Sequence, residues 1–156
     1  MMPTAKKLIK SLIKNKLSLA VAESASGGYA SYLLTKTPGS SKVFKGGLIV
    51  YSLEAKNKLL GLSIKTLKKN QGVSKATALA LAKEVRKKLN TDIGASLVGF
   101  AGPDSPKGSK PGTFFIAVSF RKNHSQKIFI KGSRGQVRKK SSQLLIRLIY
   151  ESLHRY

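Results

Sequence analysis

Apolar and polar residues follow two rhythms along this chain. In the first sixteen positions Leu8, Ile9, Leu12 and Ile13 recur at helical spacing among Lys6, Lys7, Lys10 and Lys14, which predicts an amphipathic basic helix over 5–16. Four large apolar side chains suit a helix packed on a core or one lying on a membrane surface. Short apolar runs then predict strands at Leu17–Ala22, Phe44–Ser52 and Ile93–Phe100. Between them helices are predicted over Gly27–Thr35, where Pro38 and Gly39 end the unit, and over Leu53–Leu60. A longer one spans 75–89, with Ser74 as N-cap and Ala78, Leu81, Ala82, Val85 and Leu89 on one face. Thr113–Phe120 and Gln126–Lys131 read as two further strands around a turn at Lys122, Asn123 and His124. Val137, Leu144, Leu145, Leu148, Ile149 and Leu153 mark a closing helix over 135–153.

Strands alternating with helices, then a hairpin and a last helix, predict a three-layer α/β/α sandwich with a mixed β-sheet. With no internal repeat, linker or composition break, residues 1–156 are expected to form one domain. In such a sheet ligands bind outside the carboxyl ends of the strands. The stretch LAVAESASGG, residues 19–28, would deliver Glu23, Ser24 and Ser26 to that edge.

Composition narrows the chemistry. There is no cysteine and there are only two histidines, His124 and His154, so no disulfide framework or thiolate chemistry is available and no metal or other cofactor is expected. No apolar run reaches the roughly 20 residues of a membrane span and no signal-peptide core is visible, so a cytoplasmic location is expected. The net charge of +24, carried by 30 Lys and Arg of which only six are Arg, has three readings. It is a solvated lysine-rich surface, a nucleic-acid footprint, or a device for attracting anionic small molecules.

Candidate chemistry concentrates at two strand ends. Ser24, followed by Gly27 and Gly28 opening a helix, resembles the logic of a nucleophile elbow, since glycines let backbone amides approach a ligand and a helix start favours an oxyanion or phosphate. The same residues are also ordinary loop material. A serine nucleophile needs a base, and both histidines read as surface residues. Lys56 in YSLEAK, directly after the second strand, can accept a proton if partial burial or neighbouring cations lower its pKa. Taken alone it is one lysine among many. Glu23 and Glu54 flank these positions, where a carboxylate can orient Lys56, accept backbone N–H bonds, hold a ribose hydroxyl or form a simple ion pair. The loop FAGPDSPKGSKPGT, with Asp104 as its acid, reads as a pocket wall, a lid or an inert connection. Arg134 and Arg138, rare arginines at the start of the last helix, suit bidentate contact with phosphate or carboxylate, or a structural ion pair.

Five blocks in order, AESASGG, PGSSKVFKGGLIVYSLEAKNKLLGL, GVSKATALALAKEVRKKL, GFAGPDSPKGSKPGT and GSRGQVR, resemble the CinA C-terminal domain, the nicotinamide-nucleotide amidohydrolase family, over nearly the whole chain. The resemblance implies hydrolysis of the carboxamide of nicotinamide mononucleotide to nicotinate mononucleotide and ammonia, with no metal or cofactor. It implies Ser24 as nucleophile, Lys56 as its base and Tyr51 beside them. Implied around the substrate are Glu23, Ser26, Gly27, Gly28, Ser40, Ser41, Glu54, Gly102, Thr113, Arg134 and Arg138. Arg138, assisted by Ser40, Ser41 or a helix start, would meet the phosphate, and backbone amides near Ser26–Gly28 the oxyanion. The pattern is departed from at Ala25 (for Cys), Ser26 (for Thr), Leu53 (for Asn), Val98 (for Thr or Ser) and Ser133 (for Asp). Leu53, Val98 and Ser133 each remove a polar group expected near the site. A second reading is therefore a weakly active or inactive relative that binds a nucleotide or nucleic acid through its basic surface. Members of the family tend to associate, so a homo-oligomer of at least two copies is expected.

Overall fold

A computed structural model describes residues 2–155. Its elements are α1 (Ala5–Asn15), β1 (Leu19–Glu23), α2 (Tyr29–Thr35), β2 (Phe44–Ile49), α3 (Leu53–Leu60), α4 (Ile64–Lys68), α5 (Lys75–Lys88), β3 (Ile93–Gly99), β4 (Thr113–Ser119), β5 (Asn123–Phe129) and α6 (Arg134–His154). The five strands make one sheet in the order β2-β1-β3-β4-β5. β1 runs parallel to both neighbours, and β4 and β5 continue antiparallel, so the sheet is mixed as the sequence predicts.

Strand alternation divides the core in two. Leu19, Val21, Ala95, Leu97, Phe114 and Ile116 face the layer of α1, α2 and α6, while Ala20, Ala22, Val98 and Ala117 face α5. β1 is buried at all five positions because it is central and covered on both faces. Among the described residues no helix is long and apolar enough to cross a membrane. The stripe of α1 is accounted for by packing: Leu8, Ile9 and Leu12 are buried in the core.

Two elements depart from expectation. Residues 61–73, for which the sequence pattern predicts nothing, contain the short helix α4, started by Ser63 accepting from the Thr66 N–H. β5 begins three residues earlier than predicted, at Asn123, so Asn123 and His124 are strand residues and not part of the turn. The tight connection closes with the Phe120 N–H on the Lys122 carbonyl, which lets the whole of β4 find partners from Thr113↔Phe129 to Ser119↔Asn123. Satisfying that ladder outweighs the turn-like local sequence.

Candidate active site

The chain leaves β1 toward α2 on one face of the sheet and leaves β2 toward α3 on the other. A crevice therefore opens between the carboxyl ends of these neighbouring strands, the place where doubly wound sheets bind ligands. It contains a cavity of about 300 Å³ lined by residues from five segments, among them Ser24, Tyr51, Lys56, Gln71, Asp104 and Arg134.

Ser24 is the first residue beyond β1. Its N–H still donates to the Leu97 carbonyl, so it is held in the frame of the sheet while its side chain stands at the edge. The turn behind it is tightly fixed. Glu23, fully buried, accepts from the Ser26 hydroxyl at 2.7 Å, the Ala30 and Ser31 N–H groups at 2.9 and 2.8 Å, and the Ser31 hydroxyl at 2.6 Å. A buried carboxylate at the start of α2 is stabilised by these donors and by the helix dipole. Arg138, reaching from α6, donates through Nε to the Ala25 carbonyl and through a terminal nitrogen to the Ser26 carbonyl, both at 3.1 Å. Gly27 lies so close to that guanidinium that a Cβ would come within 2.9 Å of it, and its φ of +59° excludes most side chains as well. The Gly27 N–H is used on the Ser24 carbonyl, whereas the N–H groups of Ala25 and Ser26 have no partner among the described residues.

Lys56 enters from the first turn of α3, which Ser52 caps by accepting from the Ala55 N–H. It is 2% exposed, and its Nζ lies 3.2 Å from the Ser24 Oγ while donating to the Val50 carbonyl at 2.9 Å and the Tyr51 carbonyl at 3.4 Å. No carboxylate is bonded to it, so burial dominates and lowers its pKa from 10.5 to about 8. The cover over its stem is the α4–α5 connection, where a Cβ on Gly72 would meet Leu53 at 2.9 Å and the Lys56 methylenes at 3.4–3.5 Å. Leu53, where the family pattern has Asn, therefore adds apolar cover over the lysine and does not point a polar group at the cavity.

On the far wall Arg134 donates to the Gly102 carbonyl at 2.7 Å and to the Tyr51 hydroxyl at 3.3 Å. Tyr51 is 60% exposed and stands at the mouth. Asp104, Phe100, Ala101 and Pro106 show that the loop after β3 is indeed a wall of the cavity.

Of the residues expected at the site, Ser24, Lys56, Tyr51, Gly102 and Arg134 line one cavity. The others lie outside the lining of that cavity. Glu23, Ser26, Gly27, Gly28 and Arg138 build the turn from behind: the Glu23 oxygens and the Ser26 hydroxyl are bonded to each other, Gly28 is the left-handed start of α2, and the Arg138 guanidinium is engaged by carbonyls. Glu54 is exposed on α3 and is no partner of Lys56. Thr113 opens β4 with its carbonyl on the Phe100 N–H. Ser40 and Ser41 precede β2 at its amino end, the opposite edge of the sheet from Ser24, because Phe44 pairs with Leu19 and only Ile49 with Glu23. Val98 is fully buried in the core toward α5, and Ser133 caps α6 with Gln136 in a reciprocal box, the task an Asp would also perform there. Sequence reasoning missed Gln71, Val73 and Gly72, whose only local signal is the QGV turn before the Ser74 cap.

Fold and crevice together define an open-sheet α/β protein with a serine and a desolvated lysine in contact where two neighbouring parallel strands send their connections to opposite faces of the sheet. Residues 2–153 match the CinA C-terminal domain, and the chain belongs to that family. It is 41% identical over 131 residues to a competence-damage inducible protein of Acetivibrio thermocellus, covering 83% of this chain and 32% of that one. It is 40% identical over 134 residues to a CinA-like protein of Amoebophilus asiaticus, covering 84% and 32%. The chain thus spans about a third of the length of these relatives. Among solved structures, the competence or damage-inducible protein of Enterobacter asburiae superposes with a TM-score of 0.90 at 28% identity, covering 97% of this chain and 99% of that one. A CinA superfamily protein of Klebsiella pneumoniae shares the fold with a TM-score of 0.93 at 24% identity, covering 97% and 96%.

Proposed function

We propose that this domain is an amidohydrolase that converts nicotinamide mononucleotide to nicotinate mononucleotide and ammonia. The observation that carries the reading is the 3.2 Å contact between the Ser24 hydroxyl and a buried lysine whose pKa is lowered to about 8. A lysine so placed is partly neutral near physiological pH and serves as a general base.

Neutral Lys56 takes the Ser24 proton as Oγ bonds to the carboxamide carbon, and the carbonyl oxygen becomes an oxyanion facing the unpartnered N–H groups of Ala25 and Ser26. Protonated Lys56 then gives its proton to the departing nitrogen, which leaves as ammonia while the C–N bond breaks. Water attacks the acyl ester, Lys56 again takes a proton, and its transfer to Oγ releases the carboxylic acid. Every proton passes through one lysine, so no histidine or metal is needed. Arg134, in the cavity and with donors beyond the two it uses, suits the substrate phosphate better than Arg138, whose guanidinium is turned to the loop carbonyls.

Ser24→Ala tests this directly. Ammonia release from nicotinamide mononucleotide should fall by roughly 1,000-fold or more with the fold intact. Release at near the parental rate would remove Ser24 as the nucleophile.

A further inference from the structure

The opposite edge of the sheet carries a second concavity, of about 540 Å³, where the end of α5 meets the β4–β5 hairpin. Lys83, Arg86 and Lys87 reach it from one face of α5, and Arg121 from the hairpin. No carboxylate is among its lining residues, and Asn90, Thr91, Ser119 and Asn123 supply neutral polar groups. The Ser24 cavity, by contrast, sets Asp104 against its cations.

Three observations set this cleft apart from the lysines scattered over the surface. Arg86 and Arg121 are two of only six arginines in a chain with 30 cationic residues. Arg86 is held in place, donating to the Phe120 carbonyl at 2.9 Å and the Ser119 hydroxyl at 3.4 Å, so its remaining donors have a fixed direction. The cationic lining also continues. Lys87 is shared with a neighbouring groove that holds Lys58 and Lys88, where the one lining carboxylate, Glu84, forms an exposed pair with Lys87.

One phosphate is satisfied by one or two such groups. Four cations in a cleft, extended by two more along a shared groove, match a string of phosphates. Phe120 lies at the same cleft, its ring half-buried against the core with the Arg121 guanidinium 5.1 Å from its centre, which presents the planar guanidinium as a surface of the kind unpaired bases stack on. A concave cleft of this kind receives splayed single strands, whereas duplex readout needs an element that protrudes into a groove. We propose that this edge binds single-stranded nucleic acid, with the phosphodiester backbone tracking Lys58, Lys88, Lys87, Lys83 and Arg86 and a base stacked on the Arg121 guanidinium. The site is independent of the Ser24–Lys56 chemistry and lies at the other end of the strands.

The test compares two triple charge reversals that each lower the net charge equally. Lys83→Glu/Lys87→Glu/Arg121→Glu changes the cleft, and Lys6→Glu/Lys10→Glu/Lys14→Glu changes exposed positions of α1. A labelled 20-nucleotide single strand is titrated by fluorescence anisotropy across a salt series, with thermal melting as the check on folding. The cleft variant should bind roughly 100-fold more weakly at about 0.1 M salt, with a salt slope smaller by about 2 for three lost contacts. The α1 variant should lose less than about fivefold, and both should release ammonia from nicotinamide mononucleotide at the parental rate. Equal losses in the two variants, no binding by the parent, full competition by micromolar pyrophosphate, or preference for a duplex of equal length would each overturn the proposal. Loss of ammonia release alone would bear on the amidohydrolase reading and not on this one.

Discussion

Two turns leave the carboxyl edge of the sheet side by side and are built on opposite plans. The turn after β1, residues 24–28, has the Ser26 hydroxyl and its carbonyls tied to named partners, the Glu23 carboxylate that precedes it is bonded across it, and a side chain from α6 clamps it from behind. The longer segment after β3, residues 100–112, holds itself by local bonds such as the Ser109 N–H on the Pro106 carbonyl, and its tie to the rest of the cavity is Arg134 on the Gly102 carbonyl. In the proposed reaction the attacking hydroxyl belongs to the fixed turn, and the wall that would meet the variable part of a substrate belongs to the lightly held one. Chemistry requires positions good to about half an ångström, while recognition tolerates adjustment.

The sharpest break of that contrast is to keep the fixed turn and remove its base. Lys56→Met should lower ammonia release by roughly 1,000-fold. In the parent, kcat/KM should rise with pH and level off above about 8, where the lysine is neutral. Stability carries the same signature. The folded-state pKa lies below the unfolded value, so the native protein sheds this proton first. Its stability relative to Lys56→Met should then rise between pH 8 and 10.5, by up to about 3 kcal/mol, in urea titrations. A flat difference across that range would show that the lysine is not desolvated.

The next largest effect loosens the fixed turn itself. Arg138→Ala leaves two carbonyls without their donor and should reduce kcat by roughly 10- to 100-fold with KM little changed, alongside a loss of about 1–3 kcal/mol in stability. A raised KM with kcat preserved would return Arg138 to the role of phosphate ligand. The smallest effect belongs to the other turn. Asp104→Asn, exposed on the wall, should shift KM by less than about fivefold and leave stability within about 0.5 kcal/mol. An unfolding loss well beyond that would erase the distinction between the two turns.

How much of this the sequence shows follows from distance along the chain. Ser24 and Lys56 are legible because Ser24 directly follows β1 and Lys56 lies in the first turn of the helix after β2, and adjacent parallel strands end side by side. The four bonds to Glu23 come from residues 26–31, so an anchoring role was among its readings, but nothing local distinguished it from a ribose contact. Arg138 lies 113 positions from the Ala25 carbonyl it holds, and only the packing of α6 on α2 reveals which way the guanidinium turns. Ser40 and Ser41 share a sequence block with Tyr51, yet six residues of extended strand separate the two ends of β2 and carry them to opposite edges. β5 was misplaced because its first residues look like a turn and are paired for the sake of β4.

The proposed base owes its low proton affinity to a lid of short-range structure. Gly72, packed on Leu53 at the start of α3, keeps water from the Lys56 stem, and it belongs to a connection between a five-residue helix and the cap of α5. Such segments open locally at a small fraction of the free energy needed to unfold the sheet. When this one lifts, rehydration returns the ammonium to the proton affinity of an ordinary lysine, and at neutral pH Ser24 has no acceptor. Warming should therefore silence the domain while its strands are still intact, with catalysis lost by wetting well before it is lost by melting.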